Sequence, residues 1–301
     1  MKRFTILLGL LISLTLLFIF VSQRRGCTPI WGPATRLQIV PSESQSLSFI
    51  ALGDAGDFSL EQRQVALGIK KTCAKQPCDF VLYLGDNFYP NGLKNTQDPA
   101  FEAGFLKIYE ELNLPFYAIL GNHDLKDNPQ AQIDLHNQGP WRMPDGHYIL
   151  ESPLAQLIGI NSNCHGQEML WAKGAMESEK PWTILFTHHP IYSTAGHGDA
   201  APSRRWLWNK LGLNGVDLLL AGHDHDLEYL TRRGDSTQYL ISGAGGSGSS
   251  KRQGDESQGI SQFQHPGPGY AWVQIMRNEM VIEFFDAHAQ LLYRKRHLKS
   301  Q

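Results

Sequence analysis

Five short stretches of the sequence place metal-binding side chain types directly after an apolar run: FIALGDAGD, FVLYLGDNFY, FYAILGNHD, WTILFTHHP and VDLLLAGHDHD. They offer Asp54, then Asp86 and Tyr89, then Asn122 and His123, then His188 and His189, and last His223 and His225. Carboxylate, amide oxygen, phenol and imidazole all suit first-row metal ions, and no thiolate is required. Taken singly, each stretch reads as a turn. A turn does not account for Tyr89, and five such stretches in one chain point to a shared cluster. The chemistry open to it is the binding of first-row metal ions. Gly precedes the polar residue in four of the five, which permits the tight turn that aims a side chain into a cleft.

The elements that must position these residues alternate along the chain. LSFIAL, DFVLYL, PFYAIL, LAQLIGIN, PWTILFT, VDLLLA and TQYLISGAG read as strands. SLEQRQVALGIKKTC, with Ser59 as N-cap, DPAFEAGFLKIYEEL, QEMLWAKGAM and SRRWLWNKLGLNG read as helices. GYAWVQIMR and EMVIEFFDAHAQLLYRKR read as closing antiparallel strands, after a Gly/Ser-rich loop, GGSGSSKRQGDESQG. This alternation predicts a buried sheet with helices outside it. In open α/β sheets ligands sit beyond the carboxyl ends of strands, where the five stretches fall. Core packing is the expected role of Trp141, Trp171, Trp182, Trp206 and Trp208, with Trp141 and His147 also placed to line a pocket rim.

At 301 residues, 42% hydrophobic and 19% charged, the composition is that of a globular protein. A formal net charge of −2 without a basic stripe argues against nucleic acid. The uninterrupted apolar run from Phe4 to Val21 follows MKR, approaches the ~20 residues of a spanning helix, and lacks a clear small-x-small cleavage site. It predicts a signal anchor over residues 1–25, or a cleaved signal peptide; both export the chain. The protein would then face the periplasmic or extracellular side from the membrane, or be secreted if cleaved. Pro, Gly and Ser over 26–45 read as a linker, with one catalytic domain over 46–301. Cys73 and Cys78 bracket AKQP and are able to close a small loop. Free thiols are the alternative for all four cysteines, and spacing does not fix connectivity.

In order and type, the blocks DAG, GDNFY, GNHD, LFTHHP and GHDHDLEY resemble the metallophosphoesterase superfamily, and within it the small purple acid phosphatases, a branch that includes the tartrate-resistant enzymes. The resemblance runs from about Ser48 to Gly245. It implies the calcineurin-like αββα sandwich of two mixed β-sheets flanked by helices. Most of the superfamily begins with D-x-H, where the His binds the first metal; Gly56 stands in that slot, and in the purple enzymes the Tyr of G-D-x-x-Y replaces it. The implied cofactor is a binuclear centre, Fe(III) with a second divalent ion (Fe, Zn or Mn). Asp54, Asp86, Tyr89 and His225 would hold the first ion. Asp86, Asn122, His188 and His223 would hold the second, with Asp86 bridging. His123 and His197 would face the substrate as phosphate binders or proton donors. His189 is read as pocket wall, and Asp124 and Asp226 as supports for neighbouring imidazoles or as turn residues. The implied partner is a small phosphomonoester. A phosphodiesterase or nucleotide hydrolase, and an inactive membrane-anchored binding protein, are the competing readings. The mammalian enzymes carry a longer insertion before the fourth block, cut on activation; NSNCHGQEM is short, so no such activation is expected.

Overall fold

The computed structural model describes residues 27, 33–164, 166–176, 179–246 and 257–299. The expected anchor over 1–25 lies outside them. Among the described residues no helix is long and apolar enough to cross a membrane.

Fifteen described strands form two sheets. In chain order they are β1 (Arg36–Gln38), β2 (Leu47–Leu52), β3 (Phe80–Tyr83), β4 (Phe116–Ala118), β5 (Trp141–Arg142), β6 (Tyr148–Glu151), β7 (Ala155–Gly159), β8 (Trp182–Phe186), β9 (Leu218–Ala221), β10 (Leu227–Thr231), β11 (Gln238–Ser242), β12 (Ile260–His265), β13 (Gly269–Ile275), β14 (Glu279–Asp286) and β15 (Leu291–Leu298). One sheet runs β15-β14-β13-β2-β3-β4-β5 and the other β1-β6-β7-β8-β9-β11-β10-β12. Both are mixed: β2, β3 and β4 pair in parallel, as do β7, β8 and β9, with antiparallel strands beyond them.

The strands are apolar on both faces because each sheet is covered twice. In β2, Phe49 and Ala51 enter the core between the sheets, while Ile50 and Leu52 pack toward the helices. In β8, Ile184 and Phe186 face inward and Leu185 faces outward. This is the period-2 alternation of a strand read between two apolar layers. The first sheet's outer face is covered by α1 (Leu60–Cys73) and by the helical segment α2, residues 99–112, whose middle, Glu102–Leu106, is a π-turn. Ser59 caps α1 by accepting the Gln62 N–H at 3.0 Å. After α3 (Pro129–Asp134), α4 (Gly166–Ala175) and α5 (Pro202–Lys210) cover the other sheet. The result is the expected sandwich.

Three expectations differ in the structure, those for part of the linker, the pocket rim and one core tryptophan, while the Cys73–Cys78 loop forms as the sequence allowed. Within the stretch read as linker, Arg36–Gln38 forms β1, a parallel edge strand on β6, and Arg36 pairs with Glu151. Cys27 is tied to Cys164, and Cys73 to Cys78. The pocket-rim role fails for both candidates. Trp141 is fully buried, edge-on to Phe105, with its indole N–H donated to the Gln132 carbonyl at 2.8 Å. His147 is buried against Glu168 and stacked on Trp171. Trp171, Trp182 and Trp208 are core residues, but Trp206 is 64% exposed on α5.

Candidate metal centre

Each of the five polar stretches leaves a parallel strand at its carboxyl end. Asp54 follows β2, Asp86 follows β3 and Asn122 follows β4, three neighbours in one sheet; His188 follows β8 and His223 follows β9, neighbours in the other. The side chains meet where the two sheets share an end.

The backbone there is unusual. Asp54 (φ 55°), Asp86 (φ 52°) and His223 (φ 70°) all adopt left-handed conformations. Non-glycine residues reach that region at a cost, and such residues cluster at functional sites. Packing is close enough that Gly121 has no room for a side chain: a Cβ would stand 2.2 Å from the Asp86 amide nitrogen and from its Oδ1. Asp124, fully buried, clamps the second and third loops together. Its carboxylate accepts the N–H groups of Gly121 at 2.8 Å and Asn87 at 3.0 Å, and the Gln132 amide at 2.9 Å. Burial first, then the charge of Asp86, pushes its pKa up to about 7. Asp124 therefore supports backbone, not an imidazole.

Two groups of side chains form. In the first, the Tyr89 hydroxyl lies 3.0 Å from Asp54 Oδ1, 3.0 Å from Asp86 Oδ2 and 3.2 Å from His225 Nε2. In the second, His188 Nε2 lies 3.1 Å from Asn122 Oδ1 and 3.5 Å from Asp86 Oδ1, with the His223 ring centred 5.1 Å from that of His188. Asp86 thus turns one oxygen to each group. His188 Nδ1 sits 2.9 Å from the Leu84 carbonyl, which only accepts, so Nδ1 carries a proton and Nε2 is the nitrogen turned to the site.

This donor set fits a pair of cations. The Tyr89 hydroxyl meets two carboxylate oxygens and an imidazole nitrogen, and in the second group an imidazole nitrogen faces an amide oxygen. A cation in each group would have all of these atoms as ligands. Asp54, Asp86 and His188 bring ligand atoms within 4.8 Å of one another; so do His188, His189 and His223. Without cations the electrostatics are strained. Burial and the adjacent carboxylates of Asp54 and Asp86 push the Tyr89 phenol far up, and burial beside other imidazoles lowers His223 to about 2.

The two candidate substrate-facing histidines flank these groups. The His123 ring is centred 4.6 Å from the Tyr89 ring, and its Nδ1 lies 2.7 Å from the Pro90 carbonyl. The His197 side chain is 53% exposed and centred 4.1 Å from the His223 ring. What holds His197 escaped the sequence reading. Asp224, between the two histidines of GHDH, accepts the His197 backbone N–H at 2.8 Å and approaches Nδ1 at 3.0 Å. Its other oxygen accepts Ser193 Oγ–H at 2.5 Å. Glu228, two residues beyond Asp226, accepts the Thr194 N–H at 3.1 Å, so two buried acids pin the loop that carries His197. The signal available in sequence was the acid alternation at 224, 226 and 228. Asp226 accepts the Gln264 amide at 2.7 Å.

The calcineurin-like phosphoesterase model matches residues 47–227. Purple acid phosphatase 4 of Arabidopsis thaliana is 29% identical over 289 residues, covering 86% of this chain and 85% of that protein. Human tartrate-resistant acid phosphatase type 5 is 27% identical over 295 residues, covering 83% and 90%. Among solved structures, GAP50, the anchor in the inner membrane complex of Plasmodium, shares the fold with a TM-score of 0.74 at 22% identity, covering 86% of this chain and 90% of that one. The resemblance read from the five blocks is borne out by the family match and by these relatives, and the chain belongs to the calcineurin-like phosphoesterase family.

Proposed function

We propose that the protein is an exported acid phosphatase that hydrolyses phosphomonoesters at a pair of cations. The observation that carries this reading is the Tyr89 hydroxyl standing among Asp54, Asp86 and His225, with Asp86 also facing the His188 group. In this reading Asp54, Asp86, Tyr89 and His225 hold a ferric ion. Asp86, Asn122, His188 and His223 hold a divalent Fe, Zn or Mn. A phenolate is a hard, anionic donor, which favours a trivalent ion.

When bound, the pair supplies an acidified water as nucleophile and positive charge toward the phosphoryl oxygens. The chain's own residues hold the substrate and move the proton. His197, oriented by Asp224, gives the leaving oxygen its proton from Nε2 at acid pH. His123, held at Nδ1 by the Pro90 carbonyl, binds the phosphoryl group. Two disulfides fit an oxidising compartment, and the apolar run at 4–21 fits export to one.

The test is to purify the chain from Cys27 onward and measure its colour, its metal content, and its hydrolysis of p-nitrophenyl phosphate against the bis ester across pH. Violet protein with two metals and acid monoesterase activity is expected. Colourless zinc protein that prefers the diester would replace this reading with a phosphodiesterase. Two metals without turnover of either ester would replace it with a binding protein.

A further inference from the structure

We propose that His189 is a third imidazole for the second cation, and that it biases that position toward zinc over manganese. The inference rests on the two-cation reading above and extends it to a residue that reading leaves unused.

His189 stands one residue past His188, on the loop after β8. Its ring is centred 4.4 Å from that of His223 and 4.9 Å from that of His188. One ring nitrogen from each of the three lies within 4.8 Å of the other two. Two nitrogens on one zinc ion, each at ~2.1 Å, are at most ~4.2 Å apart, so a small ring rotation completes the set. Ser162 holds the ring from behind. Its Oγ accepts the His189 backbone N–H at 3.0 Å and lies 2.8 Å from Nδ1. A hydroxyl oxygen has lone pairs for both N–H donors, so Oγ can accept Nδ1–H when a metal takes Nε2. The ring has little space to withdraw: the void it shares with Ile160, Leu185 and Trp208 is about 10 Å³.

The charge pattern gives the consequence. Tyr89 and Asp54 fall to the first group, so the second is neutral apart from the shared Asp86. A third nitrogen shifts it further from hard oxygen donors, the direction that favours zinc and disfavours manganese.

The experiment uses the full chain with iron in the first position and the second emptied. Competition titrations give Zn²⁺ and Mn²⁺ affinities, and Cu²⁺ in the second position allows bound imidazoles to be counted by electron paramagnetic resonance. His189→Ala is expected to weaken Zn²⁺ by ~10–100-fold, the loss typical when a metal site's supports are removed, with Mn²⁺ changing far less. The nitrogen count should fall from three to two. Ser162→Ala should weaken Zn²⁺ in the same direction by a smaller factor. Melting of the metal-free variants checks that they fold, and His189→Asn, which keeps much of the side chain's bulk, serves if His189→Ala does not. Unchanged zinc affinity with an unchanged nitrogen count overturns the inference while the two-cation reading stands. A wild-type chain that takes up fewer than two cations overturns both.

Discussion

Gly56 is small because the loop that delivers Tyr89 occupies the adjoining space. A Cβ at this position would stand 2.1 Å from the Asn87 carbonyl oxygen, and the Gly56 carbonyl accepts the Tyr89 N–H at 2.9 Å. The missing side chain and the added phenol are therefore one packing solution: a residue as large as His at 56 would expel the GDNFY turn. Gly56→Ala is expected to cost about 1–3 kcal/mol, as overpacking of a close contact does, and to lower iron content because Tyr89 moves with Asn87. Urea melts and metal analysis check this; an unperturbed variant would show that the turn gives way freely. Tyr89→Phe removes only the hydroxyl. Its iron-loaded form should lose or shift the visible band while the circular dichroism spectrum stays that of wild type, and a retained band would assign the colour to another ligand.

At the scale of elements, the segment preceding β2 belongs to the fold. Cys27–Cys164 closes a separation of 137 residues, and Cys73–Cys78 one of 5. By loop-closure entropy the long link contributes ~5 kcal/mol and the short one ~2 kcal/mol. Paired serine substitutions should therefore destabilise the protein more at 27/164 than at 73/78 in denaturant titrations; equal effects would mean that the unfolded chain is already compact there. A chain begun at Leu47 loses that link and β1 together. The sequence made β2, β3, β4, β8 and β9 legible because each is a mostly apolar run ending in a polar turn, and those turns carry the site. It hid β1, β6 and β10 for separate reasons. β1 is three residues long among prolines and serines, β6 is four residues beside a turn, and β10 buries the charged Glu228, which becomes acceptable only once Thr194 donates to it. Asp224 was hidden likewise, since its partners His197 and Ser193 lie 27 and 31 residues away.

At the scale of the whole molecule, the metal-free protein carries an excess of buried acid. Burial raises the pKa of Asp54, Glu168 and Glu228, brings Asp124 to about 7, and brings Asp226 to about 8, the last reinforced by Glu228 and Asp224. A group whose folded pKa lies above its unfolded value contributes stability that is full below the unfolded pKa and lost as pH rises through the folded one. For Asp124 and Asp226 the loss begins near the unfolded carboxylate value of ~4 and is complete above pH ~8. His223, lowered to about 2 by burial and neighbouring imidazoles, works oppositely, but its contribution is fully present above its unfolded value of ~6.5 and constant beyond it. Between pH ~6.5 and ~8 the raised carboxyls therefore act unopposed by His223, and the metal-free chain should melt at a lower temperature at pH 8 than at pH 6.5. Two bound cations offset the charge of Asp86, which raises Asp124, and favour the ionised form of Asp54, so loading should flatten this slope and raise the melting temperature most at the alkaline end. Thermal melts with chelator and with iron plus zinc, across pH 6 to 8.5, measure both effects. A metal-free protein that is as stable at pH 8 as at pH 6.5 would mean that Asp124 and Asp226 are already ionised in the folded chain, and that the cations are not needed to hold this end of the sandwich together.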